Sequence, residues 1–146
     1  MIRILEVYEN KKKQMGLYAT RQIVGYWVKF KHLLVEGMAF FVPYGNENVK
    51  VIKDNYSVET TQDEVLEYKL LNGHQVCKFE YNEQDDYYII IGQVVFISND
   101  KEIVSVSVLD IAFTFDHNEI DIEEIQVNDW VEVSLRGLTF YDEGIY

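Results

Sequence analysis

Between Asp86 and Phe115 the chain reads DYYIIIGQVVFISNDKEIVSVSVLDIAFTF, its most apolar stretch. From Tyr87 to Ile97 both parities are apolar: Tyr87, Ile89, Ile91, Val95 and Ile97 on one, Tyr88, Ile90, Val94 and Phe96 on the other. Apolarity on both parities, in a run rich in β-branched and aromatic residues, predicts a strand covered on both faces. Ser98-Asn99-Asp100-Lys101 supplies a turn, because Asn and Asp tolerate left-handed backbone and bond to it locally. In the next strand Val104, Val106 and Val108 share one parity. The apolar set then moves to Leu109, Ile111, Phe113 and Phe115. A phase slip without a turn residue predicts a β-bulge at Val108-Leu109.

The same alternation extends outwards. Ile2 to Tyr8 reads as a first strand, followed by a charged loop, Glu9 to Gly16, that carries Lys11, Lys12 and Lys13. Leu17 to Val42 fits two periods. As a helix it aligns Ile23, Tyr26, Trp27, Phe30, Leu33 and Leu34; as a strand it alternates Val24, Tyr26, Val28 and Phe30 with Gly25, Lys29 and Lys31. Gly25 and the β-branched and aromatic content favour a strand over Ile23–Lys31. Met38–Val42 and Val49–Val58 continue in β, with Pro43-Tyr44-Gly45-Asn46 between them. Thr61 with Glu64 three residues on resembles a capping box, so a helix is expected to about Leu71, stopped by Asn72-Gly73. A strand over His74–Tyr81 precedes the central hairpin, and a short strand is read at Ile120–Ile125. The final strand, Trp130–Tyr141, changes phase at Gly137, which reads as a bulge or sharp bend. Asp142–Tyr146 reads as a mobile tail.

The expected fold is therefore mainly β, a barrel or strongly curved antiparallel sheet with one or two short helices. It forms a single domain, or two small β sub-domains (about 1–84 and 85–146) sharing one core. From about residue 21 to 97 the elements run strand, strand, strand, helix, strand, strand. That order is similar to the oligonucleotide/oligosaccharide-binding (OB) barrel; the likeness is one of element order over about half the chain.

Charge changes the picture. The net charge is −12. Residues 1–53 hold nine Lys/Arg and four Asp/Glu, whereas residues 54–146 hold four and twenty-one. Between Lys101 and Arg136 there are nine acids and no Lys or Arg. Such a segment either solvates the surface or recruits a basic partner, and it disfavours nucleic acid as a partner of that half. No apolar run reaches the roughly 20 residues that a membrane helix needs. The basic run follows the short apolar N-terminus, the reverse of a secretory signal, and the cytoplasm is the expected compartment. Cys77, alone and in an alternating segment, reads as a buried, inert thiol.

Candidate chemistry is sparse. His32, His74 and His117 lack a second His or Cys at ligand spacing. Residues 116–121 faintly resemble a calcium loop but lack its glycine and its terminal glutamate. No nucleophile elbow and no phosphate-cradling glycine loop appears. Neither an enzyme, a metal nor a cofactor is expected. The leading expectation is a protein-binding module, such as a cytoplasmic inhibitor or immunity-type protein, that docks a basic toxin or nuclease through Asp116, Glu119, Asp121, Glu123, Glu124 and Asp129. Mimicry of nucleic acid by the same face is a variant of it. The alternatives are an OB-like binder of oligonucleotides or oligosaccharides that stacks them on Tyr26, Trp27 and Phe30 beside Lys29 and Lys31, and a subunit that assembles head to tail through its charge asymmetry.

Overall fold

The computed structural model describes the backbone of residues 1–18, 21–45, 49 and 55–144, and within these the side chains of all but residues 9, 10 and 12–23. The described residues are mostly strand, in a nearly closed barrel-like sheet and a second curved sheet. Twelve strands are described: β1 (Ile2–Tyr18), β2 (Arg21–His32), β3 (Val35–Val42), β4 (Asn55–Tyr56), β5 (Val58–Thr61), β6 (Glu64–Leu71), β7 (Lys78–Asn82), β8 (Tyr87–Ile97), β9 (Ile103–Val108), β10 (Ile111–Asp116), β11 (Trp130–Arg136) and β12 (Thr139–Asp142). One sheet has the order β4-β1-β2-β3-β12-β5 and the other β10-β9-β8-β11-β6, with β7 paired to β8. The chain forms two compact units, residues 1–59 with 139–146, and residues 60–138.

In the first unit, β2 settles the ambiguous segment as a strand. Val28, Phe30 and His32 are buried, while Lys31 on the other parity is exposed. Phe30 meets Phe140 edge to face at 4.8 Å, and Phe41 meets Tyr56 at 4.7 Å. Such pairs add about 0.5–1.5 kcal/mol each to area burial. Buried His32 places Nδ1 2.6 Å from the carbonyl oxygen of Met1, which ties down the start of β1. The charged loop expected at Glu9–Gly16 is instead strand. β1 stays paired with β2 to Tyr18 by shifting register at Ile4/Glu6, Tyr8/Lys12 and Gln14/Gly16, so extra residues are absorbed without ending the ladder. The tail is also anchored. Asp142 belongs to β12, and Glu143 accepts from the Ser57 hydroxyl at 2.8 Å while its N–H donates to the Ser57 carbonyl. Residues 46–48, 50–54 and 145–146, which the strand over Val49–Val58 and the tail partly cover, lie outside the described residues.

In the second unit β8 is the central strand. β11 lies along one edge, and β7 and β9 share the other. Tyr88, Ile90 and Val94 are buried, but the opposite parity is only half-covered, and Val95 and Phe96 are exposed. The expectation of two covered faces is therefore corrected to one. On that outer face Ile91 is half-buried and lies in the ladder between Lys78 and Glu132. The bulge sits in β8, between Val94 and Phe96.

At Val108-Leu109 there is no bulge but a two-residue hairpin turn. Val108 pairs with Ile111, and Leu109 and Asp110 have φ of 48° and 71°. Residues facing each other across such a turn differ in position by an odd number. The buried set therefore switches from Val104, Val106 and Val108 to Ile111, Phe113 and Phe115 without changing face. The turn at residues 98–101 holds as expected. The Ser98 hydroxyl accepts from Ile103 N–H at 3.0 Å, and Asp100 accepts from both Ser98 and Glu102. These donors, the Ser98 hydroxyl foremost, hold the Asp100 carboxyl below the usual range.

The helix expected over residues 61–71 is strand β6, an edge partner for β11. An extra residue, Leu66, puts Val65, Tyr68 and Leu70 on one face, so the strict alternation that marks a strand is broken. The short strand read at Ile120–Ile125 is a loop with one 3-10 turn, Ile122–Glu124. One strand is read at His74–Tyr81, but strand begins only at Lys78, and Cys77 before it is half-exposed rather than buried. Gly137, with φ of 73°, makes the sharp bend between β11 and β12. The helix on which the OB-like order depends is absent among the described residues, and that order is not confirmed.

Candidate functional site

The acidic segment between β10 and β11 is a built loop. Ile120, Ile122 and Ile125 are buried and anchor it. Its carboxylates satisfy the turns between these anchors. Asp116 accepts from Asn118 and Glu119 N–H at 2.8 and 3.1 Å, and Asp121 caps the 3-10 turn by accepting from Glu123 N–H at 3.2 Å. Asp129 accepts from Gln126 N–H at 2.9 Å. Glu119 is gripped by the Gln62 amide, at 2.9 and 3.1 Å to its two oxygens, and accepts from Asp116 N–H. The Tyr68 hydroxyl accepts from Asp121 N–H at 3.1 Å and joins the loop to β6. Backbone donors left by tight turns need acceptors, and short acidic side chains are well suited to supply them.

Four of the six acids named from sequence thus have a structural role as well as a charge. Glu123 pairs with Lys101 at 3.2 Å, and both groups are exposed. Glu124 is exposed on the same 3-10 turn. Capping does not neutralise a carboxylate, so the loop remains negative. The second unit holds seventeen Asp/Glu against four Lys/Arg, a net −13, which leaves the first unit at +1. The charge asymmetry follows the two units. Three of the four cations already lie against acids: Lys69 against Glu67 and Glu132, Lys78 against Glu80, and Lys101 against Glu123.

The five residues of the alternative platform do not form one surface. Phe30 is fully buried, and Tyr26 shares its parity, whereas Trp27, Lys29 and Lys31 alternate to the other face of β2. On that face the register sets Tyr8, Trp27 and Phe40 side by side across three strands, with Trp27 and Phe40 edge to face at 4.9 Å. Lys29 is 3.7 Å from Glu36, and Lys31 lies between Arg3 and Glu36 in the ladder. Tyr8 and Phe40 are missed by reading β2 alone, since cross-strand register is not a local signal.

Two further features bear on function. Among the described residues no three His, Cys, Asp or Glu side chains converge on a point that could hold a metal. A cavity of about 230 Å³ lies where the acidic loop meets β11, lined by Leu71, Gly73, His74, Asn128, Asp129 and Trp130. Of the described helices, none is long and apolar enough to cross a membrane. Comparison with known proteins returns no match: no family model, no curated protein and no solved structure is significantly similar to this chain. The functional reading therefore rests on the geometry.

Proposed function

We propose that the protein is a binding module without catalysis of its own, which docks a basic protein in the cytoplasm through the acidic loop of residues 116–129. The observation that carries this reading is the loop's construction. Buried isoleucines and carboxylate caps fix its path, while Glu123, Glu124 and the remaining charge of Asp116, Asp121 and Asp129 stay at the surface. A loop ordered before it meets its partner loses little conformational entropy on binding. A field of one sign accelerates association with an oppositely charged surface by about 10- to 1000-fold and is screened by salt. An inhibitor or immunity-type role against a basic toxin or nuclease fits this electrostatic design.

The test is capture from a host lysate at low salt on immobilised protein, with Glu123→Lys/Glu124→Lys in parallel. A basic protein retained by the wild type, released at moderate salt and lost with the variant is the expected result. Identical retention by both proteins, or nucleic acid as the bound species, overturns it.

One observation favours a second reading, a stacking platform for oligonucleotides or oligosaccharides. The adjacent Tyr8, Trp27 and Phe40 share a face with Lys29 and Lys31. Quenching or a shift of tryptophan emission on titration with such ligands is its expected signature, and a flat titration removes it.

A further inference from the structure

The cavity beside Trp130 has the parts of a socket for a planar cation. Its aromatic wall is His74 and Trp130, edge to face at 5.0 Å and 79°. Asp129, between Asn128 and Trp130, adds a carboxylate, and no Lys or Arg lines the cavity. Both rims are held in place. Asn128 N–H donates to the Val94 carbonyl and Val94 N–H to the Asp129 carbonyl, each at 2.8 Å, while Gln93 donates to the Asn128 carbonyl at 3.1 Å. Opposite, Gly73 takes a left-handed φ of 71°, and Gln75 donates to the Asn72 carbonyl at 3.0 Å. The Asp129 side chain is itself fixed, because Oδ2 accepts from Gln126 N–H.

We infer that this cavity receives one arginine side chain of the basic partner. The inference rests on the reading of the acidic loop as the docking surface, and it names the anchor point at the loop's C-terminal end. Guanidinium is favoured over ammonium because it is planar, weakly hydrated and able to stack on a ring while its edge meets a carboxylate. Arginine and tryptophan are among the residues most enriched at the hot spots of protein interfaces. The surrounding acids set the approach, and the socket sets which side chain enters.

The socket is tested without the partner, by titrating N-acetyl-arginine amide into the full chain and following the Trp130 indole and His74 ring signals by NMR. Trp27→Phe assigns the two indoles. The expected result is a saturable shift of both signals with a dissociation constant of about 1–10 mM. The lysine analogue should bind at least about threefold more weakly, and Asp129→Asn should weaken arginine about fivefold. No saturable shift by about 50 mM arginine derivative overturns the inference. Equal binding of the lysine analogue overturns the choice of arginine, a comparison made on the wild type that does not depend on how Asp129→Asn folds. The two readings fail separately. Loss of partner capture by Glu123→Lys/Glu124→Lys with no arginine binding removes the socket alone. Arginine binding with capture indifferent to charge reversal removes the acidic-loop docking instead.

Discussion

Gly92 sits at the point of β8 where its neighbour on one edge changes from β7, paired up to Ile91, to β9, paired from Gln93. A Cβ built there meets the Ser107 carbonyl oxygen, lies 2.5 Å from Val108 Cγ2 and lies 2.8 Å from Val106 Cγ1. The Ser107 oxygen is backbone in a paired strand and cannot swing aside as the tip of a long side chain would. Replacing Gly92 with Ala sets two effects against each other. Glycine in a strand interior is less favourable than alanine by about 0.5–1 kcal/mol, so without the contact Gly92→Ala would stabilise the fold. Overpacking a closed core costs about 1–3 kcal/mol, and a clash with backbone belongs at the upper end. The net expectation is a loss of about 2 kcal/mol, which for a chain of this size lowers the melting temperature by about 4–8 °C. Gly73 is the control. A Cβ there meets nothing within 4 Å, but its φ is +71°. Gly73→Asn should therefore be nearly neutral, since Asn tolerates that conformation. Urea denaturation of both variants settles the matter. An unchanged or raised midpoint for Gly92→Ala would refute the close approach of β9 to β8.

Other expectations follow from single contacts. Leu109 and Asp110 occupy the two left-handed positions of the β9–β10 turn, so Leu109→Asn with Asp110→Gly should stabilise by about 1 kcal/mol in thermal unfolding; a destabilised protein would argue against a two-residue turn. Asp121→Ala removes the cap of the 3-10 turn and should cost about 1 kcal/mol, with faster amide exchange confined to the acidic loop; unchanged exchange at Glu123 would contradict the cap. Tyr81 is raised above the ordinary phenol range, first by burial and then by its 2.8 Å hydrogen bond to Asp86. A raised pKa contributes stability that is whole below the unfolded value, about 10, and is lost as pH rises through the folded one. Wild type should therefore lose stability above about pH 10 more steeply than Tyr81→Phe, and parallel profiles would contradict the assignment.

The all-β character was legible because alternation and β-branched content are local properties: β2, β3, β8 and the turn at residues 98–101 all follow from them. What misled was partner-dependent. At residues 61–71 the Thr61/Glu64 pattern is a genuine helix-start signal, but β11 needs an edge neighbour and the extra residue Leu66 disguises the strand's period. At Val108-Leu109 bulge and hairpin leave the same phase slip, and Leu-Asp lacks the Asn-Gly signature of a tight turn. The acids of residues 116–129 could be counted from sequence, but their role as caps depends on the loop's path between Ile120, Ile122 and Ile125. The platform dispersed for the opposite reason: a strand places Phe30 and Trp27 on different faces, a consequence already contained in calling it a strand.

The most direct measurement is the association rate of the captured basic partner with wild type and with Glu123→Lys/Glu124→Lys, at about 20 and about 150 mM salt, where the screening length falls from more than 20 Å to about 8 Å. The wild-type rate is expected to fall about tenfold across this range, and charge reversal to slow low-salt association by a similar factor. Rates that ignore both salt and charge reversal would contradict docking through the acidic loop.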